Sequence, residues 1–107
     1  MLAPNPVYTE LERARNLIAD KTRWGQGLLC DTRGRVCAIG ALGIRLDTPV
    51  YDEQTQKACQ LLGAAANELF GRGVVYVNDG LGHAAVLRMY ERALFLASTS
   101  PPSTEGE

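Results

Sequence analysis

Three cysteines, Cys30, Cys37 and Cys59, and a single histidine, His83, are the side chains with which this chain could do nucleophilic chemistry. Cys37 follows a predicted strand and precedes a predicted helix, and a helix N-terminus favours thiolate over thiol. His83 would then serve as base, oriented by Asp79 or Asn78. Asp79 lies only four residues before His83, so it orients the ring only if the intervening turn folds back. The competing reading makes Cys37 a small buried hydrophobe, the commonest fate of a free cysteine, and His83 a first-turn helix residue. Cys30, Cys37, Cys59 and His83 would be the donors of a metal site, but they lack the close C-x₂₋₄-C pair that zinc sites show. No metal and no cofactor is expected. The glycine-rich stretch from Gly71 to Gly82 is followed by no G-K-S/T and has no G-x-G-x-x-G, so it is not a phosphate loop.

A second constellation is polar. Trp24 and Gln26 stand in W-G-Q-G, and Asn78 and Asp79 in N-D-G-L-G. If the chain brings them together, an indole, an amide and a carboxylate line the mouth of a binding pocket. Otherwise Trp24 is a core plug, and Asn78 and Asp79 cap the last helix through their short side chains.

The elements that must position these residues follow from periodicity. Asn5-Pro6 is a helix start, with Asn5 as N-cap and Pro6 in the first turn. Val7, Leu11, Ala14 and Ile18 then form one stripe of a helix ending near Asp20. Gly27–Cys30 and Arg35–Cys37, joined by Asp31-Thr-Arg-Gly34, predict a β-hairpin. Its register is open: one pairing puts Cys30 and Cys37 on the same face, the other on opposite faces. Ala38 to Leu46 predicts a short helix in which Gly40 and Gly43 permit close approach of a neighbour. Glu53 to Phe70 predicts the longest helix, with Ala58, Leu61, Leu62, Ala65 and Leu69 facing inward and Gly71 as its stop. Val74-Val75-Tyr76-Val77 is a β-branched run that predicts one more short strand. A last helix spans about His83 to Ala97, with Val86, Tyr90, Ala93 and Ala97 on one stripe. Ser98 to Glu107 is polar and rich in Pro and Ser, and predicts a disordered tail.

Composition narrows the function classes. Apolar residues are 46% and charged residues 21% of 107, values typical of one globular domain. Eleven basic residues against twelve acidic give a net charge of −1, which offers no electrostatic case for nucleic acid. Arg13, Arg15, Lys21, Arg23, Arg33 and Arg35 crowd the first third and read as solvated surface. No segment approaches a membrane span, the N-terminus has no secretion signal, and an odd cysteine count suits a reducing compartment. A cytoplasmic location is expected.

Trp24-Gly-Gln26-Gly27, Cys37-Ala-Ile-Gly40-Ala41-Leu42 and Asn78-Asp79 with Gly82 occur in that order. In this the chain resembles a group of small bacterial and phage domains of unknown function, whose pattern is W-x-Q-G, a short hairpin, C-x-x-G-A-L and then W-N-D-x-x-G. Two positions depart from it: Val77 stands where an aromatic is usual, and His83 where Arg is frequent. The resemblance supports the fold and marks residues, but it carries no activity.

The sequence thus predicts an α+β, helix-dominated fold of three to four helices with a small hairpin and one further strand. Residues 1–97 would form a single domain and 98–107 a tail. The function expected is that of a non-catalytic protein-binding or regulatory module, with Trp24, Gln26, Asn78 and Asp79 as the binding residues and a protein as partner. The alternative is a cysteine-dependent hydrolase or transferase using Cys37, His83 and Asp79. Nothing in the sequence sets the oligomeric state.

Overall fold

Three amphipathic helices carry the core. In the computed structural model, which describes residues 5–27, 31–43 and 53–99, α1 runs Pro6–Ala19, α2 Glu53–Phe70, α3 Val74–Tyr76 and α4 His83–Thr99. α1, α2 and α4 pack against one another pairwise. No helix among the described residues is long and apolar enough to cross a membrane.

Local chemistry explains each helix boundary. Asn5 Oδ1 accepts the Tyr8 amide at 3.1 Å, and Asn5 Nδ2 donates to Ala97 O at 3.1 Å. One side chain thus caps α1 and ties it to the end of α4. α2 stops at Gly71, whose φ of +66° is the left-handed conformation that closes helices. α4 ends at Thr99, two residues past the expected limit. The rest of the expected tail, 100–107, lies outside the described residues.

The buried faces follow the helical period. Leu11, Ala14 and Ile18 of α1 meet Ala58, Leu62, Ala65 and Ala66 of α2, and Val86, Met89, Tyr90, Ala93 and Ala97 of α4. Much of this core is alanine, so the helices approach closely and the few large side chains carry most of the buried area. Leu69, expected on the inner face of α2, is instead 36% exposed in its last turn, where Phe70 packs against the core.

The β elements require correction. The described residues contain no strand, so the fold is helical rather than α+β. The expected turn is present: Gly34 has φ +81°, its amide donates to Asp31 O at 3.1 Å, and the Asp31 amide donates to Arg35 O at 2.9 Å. Asp31 Oδ1 accepts the amides of Arg33 and Arg35. Desolvation raises the Asp31 carboxyl, but these donors and the Arg35 guanidinium outweigh it and hold it below its ordinary value. The outer arm, with Cys30 and the register question, lies outside the described residues. Among the described residues, the returning arm pairs with the connector after α1. Val36 forms a single parallel bridge with Trp24: its amide donates to Arg23 O at 2.8 Å, and its carbonyl accepts Gly25 N at 3.0 Å. The return segment is therefore bound to the connector after α1.

The second predicted strand is a helical turn. Val74–Tyr76 is α-helical and continues as a wide π turn over Val77–Leu81, closed by Gly82 N donating to Val77 O. Val74 and Val77 are buried while Val75 and Tyr76 are 60% and 49% exposed. A three-residue burial period is helical; a strand would alternate. β-branched residues favour strands only where a neighbouring strand takes their hydrogen bonds, and none stands beside this run among the described residues. The predicted Ala38–Leu46 helix is reduced to one 3₁₀ turn, Gly40–Leu42, stopped by Gly43 at φ +87°. A Cβ at Gly43 would meet nothing within 4 Å, so this glycine serves backbone conformation rather than close approach. Residues 44–46 lie outside the described residues.

Leu62 is fully buried at the centre of this thin core. Leu62→Ala should cost about 2–5 kcal/mol, read as a lower urea midpoint at unchanged slope. A loss below about 1 kcal/mol would show that the helices close over the vacancy.

Candidate functional site

The structure gathers Trp24, Gln26, Asn78 and Asp79 into one cluster where the connector after α1, the return segment and the π turn meet. Asn78 is its centre and is 2% exposed. Its Oδ1 accepts the Trp24 indole N–H at 2.7 Å and the Ala38 amide at 2.9 Å. Its Nδ2 donates to Gly25 O at 3.1 Å and to Asp79 Oδ1 at 2.8 Å. A carboxamide offers two lone pairs and two protons, and all four are used. Asp79 Oδ1 also accepts the Gly27 amide at 3.0 Å. Gln26 Nε2 donates to Asn78 O at 3.0 Å and to Asp79 O at 3.1 Å. The last carbonyls of a helical segment lack donors of their own, and Gln26 supplies one to two of them.

Two further side chains complete the frame. Tyr90 is fully buried, and its hydroxyl donates to Ala38 O at 2.6 Å. Burial pushes its phenol well above the ordinary value, and the Cys37 and Cys59 thiols add to that. Ala38 is thereby held at both ends of its residue, by Asn78 through its amide and by Tyr90 through its carbonyl. His83 Nε2 lies 2.7 Å from Ile18 O. A carbonyl only accepts, so Nε2 carries the proton and donates, joining the start of α4 to the end of α1. The His83 and Trp24 rings stack at 5.2 Å between centroids, tilted by 53°. Sequence reasoning placed Tyr90 only on a core stripe. The signal it left unused is that a buried tyrosine, unlike phenylalanine, needs a partner for its hydroxyl.

The catalytic alternative fares differently. Cys37 is buried at 9% exposure, and its Sγ accepts the Gly40 amide at 3.3 Å. Cys37 and His83 share no hydrogen bond, and each is engaged with backbone elsewhere. Asp79 is taken up by Gly27 and Asn78, not by His83. The helix expected to activate Cys37 is a single 3₁₀ turn, too short to carry an appreciable dipole. Cys59 sits half-buried on α2, where desolvation raises its thiol. Among the described residues, no group of three or more His, Cys, Asp and Glu side chains is placed to hold a metal ion. An open cleft of about 340 Å³ lies between α1 and α4, lined by Tyr8, Glu12, Arg15, Asn16, Leu94 and Phe95 among others. None of the candidate catalytic or binding residues lines it.

The saturation of Asn78 makes its replacement informative. Asn78→Ala strands two donors, the Trp24 indole and the Ala38 amide, and should cost about 2–4 kcal/mol. Asn78→Asp keeps both acceptor contacts but loses both donations and faces Asp79. Burial and the neighbouring carboxylate would raise the new carboxyl above its unfolded value of about 3.9. With the folded value raised, stability is fully present below the unfolded value and falls as pH rises through the folded one. The deficit relative to the parent should therefore be smallest near the bottom of the range and grow toward neutrality in thermal melts at stepped pH. A deficit independent of pH would mean that the site admits water.

No curated protein and no solved structure matches the chain. A family model described as a family of unknown function, DUF6197, matches residues 3–95, which take in α1, α2, the Asn78 cluster and most of α4. The chain belongs to the DUF6197 family.

Proposed function

We propose that this domain is a non-catalytic module that binds a protein partner, with the Asn78 cluster as its frame. One observation carries the reading. Side chains able to do chemistry spend polar atoms inside the chain itself: Cys37 Sγ on the Gly40 amide, His83 Nε2 on the Ile18 carbonyl, and the Asn78 carboxamide on the Trp24 indole, the Gly25 carbonyl, the Ala38 amide and the Asp79 carboxylate. A catalytic constellation keeps at least one reactive atom free to meet a substrate. What the frame holds outward is apolar. Val75, Tyr76 and Leu81 are 60%, 49% and 44% exposed on the turn that Asn78 anchors. Large apolar side chains clustered on one short rigid segment are the usual core of a protein contact. On this reading Trp24 and Asn78 fix the turn, and the exposed Gln26 and Asp79 border the contact.

Two measurements test it. Cleavage after Arg23, Arg33, Arg35, Arg45, Lys57 and Arg72 places Cys30, Cys37 and Cys59 in separate peptides, so alkylation of the native protein can be read site by site. Cys37 should label slowly at neutral pH and about tenfold or more faster in denaturant. Rapid native labelling of Cys37 would return the enzyme reading. Capture from the organism's own lysate should retain a protein on the parent domain and on Cys37→Ala. A doubly substituted Val75→Asp, Tyr76→Asp domain with unchanged helicity should lose it. Equal retention by that variant would overturn the proposal.

A further inference from the structure

Three arginines lie across aromatic rings along the end of α2 and the outer side of α4. Arg88 Cζ stands 5.7 Å from the Phe70 ring centroid, Arg72 4.9 Å from that of Tyr76, and Arg92 4.8 Å from that of Phe95. Arg92 also pairs with Glu68. Arg72 and Arg88 are exposed and carry neither a hydrogen bond nor an ion pair among the described residues. Elsewhere Arg13, Arg15 and Arg35 each have a carboxylate, in Glu10, Glu91 and Asp31, while Arg23 and Arg33 have neither an ion pair nor a ring beneath them among the described residues. Arg72 and Arg88 therefore combine two properties. Each guanidinium stands over a ring face, and neither has an acceptor among the described residues.

From this we infer that the end of α2, with Arg72 and Arg88, receives an acidic segment of the protein partner; the inference rests on the binding reading above. A guanidinium held over a ring face has fewer rotamers open to it than a free one, so less freedom is lost when it grips a carboxylate with two parallel N–H···O bonds. The apolar surface beside the two arginines is exposed too: Leu69 adjoins Phe70, and Val75 adjoins Tyr76, which itself lies under Arg72. The partner segment is thus one that carries two carboxylates with apolar side chains between them. Two ring-backed arginines at one helix end, on a chain of net charge −1, are a poor match for a nucleic-acid backbone, which is bound by many phosphate contacts at once. The same two are enough for a short acidic peptide.

A fluorescein-labelled peptide of alternating Glu and Leu, its Gln-for-Glu counterpart and a single-stranded oligothymidylate provide the probes, titrated by polarisation at low ionic strength. The Glu peptide should bind the full chain, and the Gln peptide about tenfold or more weakly. Arg72→Glu with Arg88→Glu should reduce binding of the Glu peptide by about tenfold or more. Arg72→Lys with Arg88→Lys, which keeps the charge and loses the fork, should give a loss of about threefold. Equal affinity for both peptides, no effect of the charge reversal, or tighter binding of the oligonucleotide would overturn the inference. Its failure is separable from that of the binding reading. A lysate partner lost on Val75→Asp, Tyr76→Asp but kept on Arg72→Glu, Arg88→Glu sinks the acidic-segment inference alone.

Discussion

The buried carboxamide of Asn78 is the constraint on which the irregular half of this molecule depends. Three segments without regular structure of their own (the connector after α1, the segment around Ala38 and the π turn) meet at one side chain. Each contributes a polar group that this side chain pairs; the Ala38 amide among them is buried, and leaving such a group unpaired costs about 1–3 kcal/mol. Asparagine suits the place because it donates and accepts in equal number. Aspartate cannot donate, and leucine can do neither. The regular half, α1, α2 and α4, needs no such knot, because helices satisfy their own backbone and require only an apolar face.

This division explains which parts of the fold were legible. The three long helices show in the 3.6-residue spacing of Leu11, Ala14 and Ile18, of Ala58, Leu62 and Ala65, and of Val86, Tyr90 and Ala93. Asn5-Pro6 and Gly71 mark their ends through local capping chemistry. The hairpin and the extra strand failed for a shared reason. Local pattern showed an Asp-to-Gly turn and a β-branched run, but what those segments pair with is decided by Asn78, some forty residues from Ala38 in the chain. Trp24 and Gly25 are drawn to the same amide, and Val36 meets the connector there. The Val74–Val77 run carries no strand signal beyond composition, and its inward residues, three apart, fit a helix equally well.

The candidate site was legible in its membership but not in its chemistry. Trp24, Gln26, Asn78 and Asp79 were picked out as polar and aromatic groups able to converge, and they do share one cluster. The sequence does not say whether convergent groups face a cavity or each other; here they face each other. The same holds for Cys37 and His83, whose types suggest a dyad and whose contacts run to Gly40 and Ile18. The Asn78 carboxamide, matched internally at all four positions, supports structure; in the proposed reading, recognition falls to the exposed Val75 and Tyr76 and to Arg72 and Arg88, which stand over rings.

Hydrogen exchange at the Trp24 indole proton and the Ala38 amide, followed residue by residue in a heteronuclear NMR spectrum, tests the central role of Asn78 most directly. Both protons should exchange as slowly as the core amides of α1 and α2, because they are released only when the three segments part. Exchange of either proton on the timescale of an exposed loop, with the core amides still protected, would mean that the three segments are not held by this side chain.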